Sequence, residues 1–97
     1  MIVRLVKMVF RPEEAANFEA LFISRKSLIA GSPGCQSVEL LKDVASSKNG
    51  YVYFTRSIWD DEASLEKYRA SPLFAETWKL TKAKFDGKPE AWTTKIV

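Results

Sequence analysis

An α+β chain of the order β-α-β-β-α-β is predicted by three features of the sequence. Two runs, Ile2 to Phe10 (IVRLVKMVF) and Tyr51 to Trp59 (YVYFTRSIW), have the length and the β-branched and aromatic content of strands. Each is followed by a stretch with apolar residues at helical spacing that opens on a helix-start signal. Two shorter segments, Cys35 to Lys42 and Ala91 to Val97, read as the remaining strands.

The first strand has two faces, Ile2, Arg4, Val6, Met8, Phe10 and Val3, Leu5, Lys7, Val9. Both are mainly apolar, so neither is built for water. Pro12 suits the first position of a helix, and Glu13 and Glu14 then lie where the positive end of its dipole favours them. The helix is expected to run to Ala30 and stop at Gly31, with Phe18, Leu21, Phe22, Leu28 and Ile29 on one stripe. Arg25 falls inside that stripe. Ser32-Pro33-Gly34 is a turn, and Ala45 to Gly50 ends in Asn-Gly, a hairpin signal.

After the third strand, Asp60 or Asp61 caps a helix that carries Leu65 and Tyr68 inward. Pro72 disfavours helical geometry at Ser71, so this helix breaks there and restarts with Ser71 as its cap. Phe74, Trp78, Thr81 and Phe85 then share a face, and Gly87-Lys88-Pro89 ends the segment before the last strand.

This order is the ferredoxin-like split βαβ arrangement, an antiparallel four-stranded sheet. Right-handed crossovers place both helices on one face of it. The other face would carry Val3, Leu5, Val9, Val52, Phe54 and Ile58 uncovered. A monomer rarely exposes a contiguous apolar patch above about 300–600 Å². A homodimer through the sheet face, closing a dimeric α/β barrel, is therefore expected. Residues 1–97 are expected to form a single domain.

At 46% apolar residues the chain can bury a core, and its single cysteine, Cys35, leaves no internal disulfide framework. No run approaches the length of a membrane span and no cleavable signal opens the chain, which points to the cytoplasm. The net charge of +3 is spread along the sequence, weak support for nucleic-acid binding. With no histidine and one cysteine, the familiar zinc spacings, the Ser-His-Asp and Cys-His nucleophiles and a histidine-ligated haem are all excluded. Gly31-Ser32-Pro33-Gly34 follows a helix, so it is a turn and not a phosphate loop. Asp60, Asp61 and Glu62 read as capping residues, and Cys35 as a structural thiol.

What remains is aromatic. Tyr53 and Trp59 share strand parity with Thr55 and Ser57, while Tyr68 and Trp78 point from the helices toward the sheet. Such a group packs a core or, with its phenols, indole N–H groups and hydroxyls, lines a small-molecule pocket. Arg25 either pairs with a carboxylate at the edge or faces a cavity and binds an anionic or phenolate oxygen.

Helix one before Ser32-Pro33-Gly34-Cys35, then Glu39-Leu40-Leu41, then Ile58-Trp59-Asp60-Asp61 with Leu65, Tyr68, Ser71, Phe74 and Trp78, resembles the antibiotic biosynthesis monooxygenase domain. The resemblance implies a dimeric α+β barrel with a pocket between helices and sheet in each subunit. It also implies a cofactor-independent oxygenase of a small phenol- or quinol-like aromatic, with no metal or prosthetic group. The haem-degrading branch of that family carries a histidine where this chain has Trp78, so the resemblance points away from haem. Trp59 matches the family's tryptophan at the end of strand three, and Thr55 stands where an asparagine is often found. On this reading Trp59 and Tyr68 are the catalytic candidates, and Arg25, Tyr53, Thr55 and Trp78 bind substrate. The alternative is a non-catalytic dimeric barrel that binds a small metabolite in the same pocket.

Overall fold

The computed structural model describes residues 1–45 and 51–97, so the Asn49-Gly50 hairpin lies outside the described residues. Strands β1 (Ile2–Phe10), β2 (Cys35–Lys42), β3 (Tyr51–Trp59) and β4 (Glu90–Lys95) form one antiparallel sheet in the order β2-β3-β1-β4. The two most apolar strands, β1 and β3, are therefore central. This is the ferredoxin-like arrangement.

Register fixes which side chains meet. Ile2 pairs with Trp59, Arg4 with Ser57, Val6 with Thr55 and Met8 with Tyr53. Ile2, Met8, Phe10, Tyr53 and Trp59 are all buried, so this is the core face. Helices α1 (Ala15–Ala30), α2 (Glu62–Arg69) and α3 (Pro72–Lys82) cover it, through Phe18, Phe22, Ile29 and Leu65. Burying each such large apolar side chain stabilises the fold by about 1.5–3 kcal/mol.

Local signals set the helix ends. A single 3-10 turn over Pro12–Glu14 precedes α1. Asp61 caps α2 by accepting from the Ser64 N–H at 2.8 Å, and that bond holds its carboxyl below the usual carboxylate range. Ser71 caps α3 by accepting from the Phe74 N–H at 3.2 Å, with Pro72 at the first helical position. Gly34 has φ +84, and a Cβ there would collide with Ser64, so the turn before β2 needs glycine twice over.

Two sequence expectations are corrected. Leu28 is 55% exposed and not part of the buried α1 stripe. At about 100° per residue it lies roughly 80° from Phe18, whereas Arg25 lies only about 20° away. Strand β4 ends at Lys95 and not at Val97. Its register pairs Lys95 with Ile2, so the last two residues have run past the start of β1.

The opposite face of the sheet carries Val3, Leu5, Val9, Val52, Phe54 and Ile58, as the alternation requires. Leu41 and Trp92 extend it on the flanking strands and are 43% and 44% exposed. All three helices pack on the other side. Among the described residues no helix is long and apolar enough to cross a membrane.

Candidate functional site

A partly open cavity of about 330 Å³ lies between the helices and the core face of the sheet. Its floor is Arg4, Val6 and Met8 of β1, Val38 of β2 and Thr55, Ser57 and Trp59 of β3. Its roof comes from Phe18, Leu21 and Phe22 of α1, Leu65, Tyr68 and Arg69 of α2, and Phe74, Thr77, Trp78 and Thr81 of α3. The volume falls in the range of about 300–1,000 Å³ usual for small-molecule sites.

The aromatic walls form a continuous series. Trp59 stacks on Tyr68 with ring centroids 5.1 Å apart, and Tyr68 meets Phe74 edge-on at 5.4 Å. Phe74 lies parallel to Trp78 at 6.0 Å, and Trp78 abuts Phe85 at 5.6 Å. The break at Ser71-Pro72 makes this possible, since it turns α3 so that Phe74 and Trp78 continue the row begun by Tyr68. Trp59 is fully buried, and its indole N–H donates to Ser57 Oγ at 2.9 Å. That bond fixes the ring that closes one end of the cavity.

Burial, reinforced by the neighbouring Cys35, pushes the Tyr68 phenol up to about 12. At neutral pH it is a hydrogen-bond donor and not a proton acceptor. Burial also pushes the Cys35 thiol up, and its Sγ lies 3.6 Å from the Ser37 carbonyl. Burial thus disfavours the thiolate, the nucleophilic form. Thr81 Oγ1 donates to the Thr77 carbonyl at 2.7 Å, while Thr77 Oγ1 is buried with no partner among the described residues.

Of the six site residues expected from sequence, Trp59, Tyr68, Thr55 and Trp78 come together around this cavity. Arg25 and Tyr53 do not line it. Arg25 pairs with Glu76 at 3.0 Å across α1 and α3. Tyr53 lies under Phe10 and Phe18, where its phenol donates to Glu19; burial, with the Glu19 bond and charge, pushes that phenol up. The first contact joins two helices, with Arg25 Nε buried and without a partner among the described residues, and the second joins α1 to the sheet.

Two guanidiniums at the cavity were not singled out by the sequence. Arg4 Nη1 donates to Thr93 Oγ1 at 2.8 Å, and Arg69 Nη1 pairs with Glu66 at 3.0 Å. The signal for Arg4 was present, a charge in the inward-facing row Ile2-Arg4-Val6-Met8-Phe10 of a central strand. Arg69, at the end of α2, gave none beyond favourable placement at the helix C-terminus. Among the described residues no group of three His, Cys, Asp or Glu side chains comes together, so the chemistry of the cavity rests on ring faces, hydroxyls and guanidiniums.

The family model for antibiotic biosynthesis monooxygenase matches residues 1–80. This chain belongs to the antibiotic biosynthesis monooxygenase family. The matched span includes Trp59, Tyr68 and Trp78 and stops short of β4. Among solved structures, Rv0793 from Mycobacterium tuberculosis superposes with a TM-score of 0.86 at 14% identity, covering 99% of this chain and 94% of that one. A conserved protein from Methanosarcina mazei gives 0.87 at 23% identity, covering 98% and 92%. An antibiotic biosynthesis monooxygenase crystal structure gives 0.84 at 18%, covering 100% and 99%. At these identities the likeness establishes the fold alone. No curated protein matches the chain.

Proposed function

We propose that this family member is a cofactor-independent monooxygenase acting on a small phenol- or quinol-like aromatic with molecular oxygen. The observation that carries the reading is the aromatic-walled cavity itself, placed where Trp59, Tyr68 and Trp78 converge. A flat ring slides between such walls, and its offset stacking on them is worth about 0.5–1.5 kcal/mol per pair beyond burial.

The reaction balances without a further reductant. A phenol taken to a quinone gains one oxygen atom of O2 and loses two hydrogens, the second oxygen atom leaving as water. The four electrons that reduce O2 all come from the substrate. The protein's contribution is to bind and orient the ring against oxygen. Thr55 and the protonated Tyr68 phenol supply hydrogen bonds to the oxygens that develop charge.

The chain is proposed to work as a homodimer through the uncovered sheet face, whose apolar row matches an identical row on a second copy. Oxygen consumption with a panel of phenols and quinols tests the enzyme reading; uptake that depends on both protein and substrate supports it.

One observation favours the alternative of a non-catalytic binding barrel. The phenol in the cavity is shifted away from the proton-accepting range and not toward it. Tight ligand binding with no oxygen consumed by any member of the panel would decide for that alternative.

A further inference from the structure

We propose that the ligand of this cavity is an aromatic body with an anionic oxygen head group, and that Arg4 and Arg69 receive the head. The proposal deepens the substrate reading above and rests on the same cavity, but not on oxygen chemistry.

Arg4 stands on the core face of a strand that has neighbours on both sides, between Ile2 and Val6. From there a long side chain cannot simply leave over a sheet edge, and it lines the cavity instead. Its hydrogen-bond partner is the neutral Thr93 hydroxyl, where a half-buried guanidinium ordinarily finds a carboxylate. Arg69 reaches the same cavity from the last turn of α2. The two cations are close enough that Arg69, after burial, is the next cause lowering Arg4, with Glu66 opposing them.

Glu66 is mostly exposed and does not line the cavity, and neither does any other carboxylate among the described residues. The lining therefore holds two positive groups and no negative one. An anion seated between them offsets the repulsion and gives Arg4 a directly hydrogen-bonded charged partner, which it does not have among the described residues. The remaining walls are mainly rings and aliphatic side chains with a few hydroxyls (Thr55, Ser57, Thr77, Thr81), a surface that suits an aromatic body. Recognition then has two parts, with rings gripping one end of the ligand and guanidiniums the other.

The test titrates the full-length chain with 2-naphthoate and with its neutral isostere 2-naphthamide, following tryptophan emission and calorimetry at low salt. The expected result is tighter binding of the naphthoate by about tenfold or more. Arg4→Gln and Arg69→Gln should each lower naphthoate affinity by about tenfold and leave naphthamide unchanged, while Arg4→Lys keeps most of the preference. Circular dichroism and thermal melting confirm that each variant is folded, and Arg69→Gln, on an exposed helix end, serves if Arg4→Gln is not. Equal affinity for the two probes, parallel loss of both in the variants, or binding of neither overturns the proposal. Naphthoate preference without oxygen uptake from any phenol leaves this inference standing and removes the enzyme reading; uptake from neutral phenols with no naphthoate preference does the reverse.

Discussion

Tyr68 shows how packing sets the chemistry available to a single side chain. Stacked on Trp59 and edge-on to Phe74, its phenol rises from the ordinary value of 10.0 to about 12. A folded-state value above the unfolded one means that the fold favours the neutral phenol. The stabilisation is complete below pH 10 and is lost as pH climbs from about 10 to about 12. Tyr68→Phe keeps the ring and removes the titrating group, so denaturation followed across this window should show a shallower alkaline loss than wild type. At pH 7 the variant should fold normally and, if the phenol stabilises developing charge, turn over more than about tenfold slower. Residue-level legibility in the sequence was uneven. Trp59, Tyr68, Thr55 and Trp78 were readable because strand parity and helical spacing both aim them inward. Arg25 was readable as one of two alternatives, and the structure places it in an ion pair with Glu76. Tyr53 sits on the inward face as parity requires and opposite the cavity-lining Met8, but its ring is packed against Phe10 and Phe18 and its phenol is turned to Glu19, contacts that parity does not encode.

At the scale of elements, turns and caps carry as much instruction as the apolar periodicity. The connection into β2 depends on Gly34, whose positive φ and crowding by Ser64 leave no room for a side chain. Its carbonyl also accepts the Asp60 N–H at 2.8 Å, joining the end of β3 to the start of β2. Gly34→Ala should therefore destabilise the chain by about 1–3 kcal/mol in urea denaturation. Gly34→Asn should cost a similar amount, since tolerance of positive φ does not relieve the collision. The Ser71-Pro72 break and both capping residues were legible because each has a local cause written in adjacent residues. The end of β4 was not, because it depends on where β1 begins to offer hydrogen bonds, a register that β4 does not encode. The same limit applied to Leu28, whose apolar character suited the stripe although its angular position did not.

For the whole molecule, three helices among the described residues cover one face of a sheet that is mainly apolar on both, with Lys7, Glu39 and Arg56 also on the uncovered side. The uncovered face has Phe54 near the middle of β3, paired with Lys7 on one side and Leu41 on the other. Phe54→Arg places a charge on the face where a second copy would sit, and sedimentation should show a dimer for wild type and a monomer for the variant, with the cavity residues unaltered. The ferredoxin-like arrangement was legible from the order of elements and the handedness of crossovers, and the two-faced apolar character of β1 and β3 from their composition. The cavity was not, because a volume depends on how three helices seat together and not on any one pattern. Its walls could be named in advance, but not whether they would meet. This space is proposed to be a reaction chamber in which the substrate itself reduces oxygen. The most direct test is mass spectrometry of the product formed from a phenol under isotopically labelled dioxygen. One labelled oxygen atom in the ring product and one in water is the predicted result; a ligand recovered unlabelled and unchanged from the cavity would contradict it.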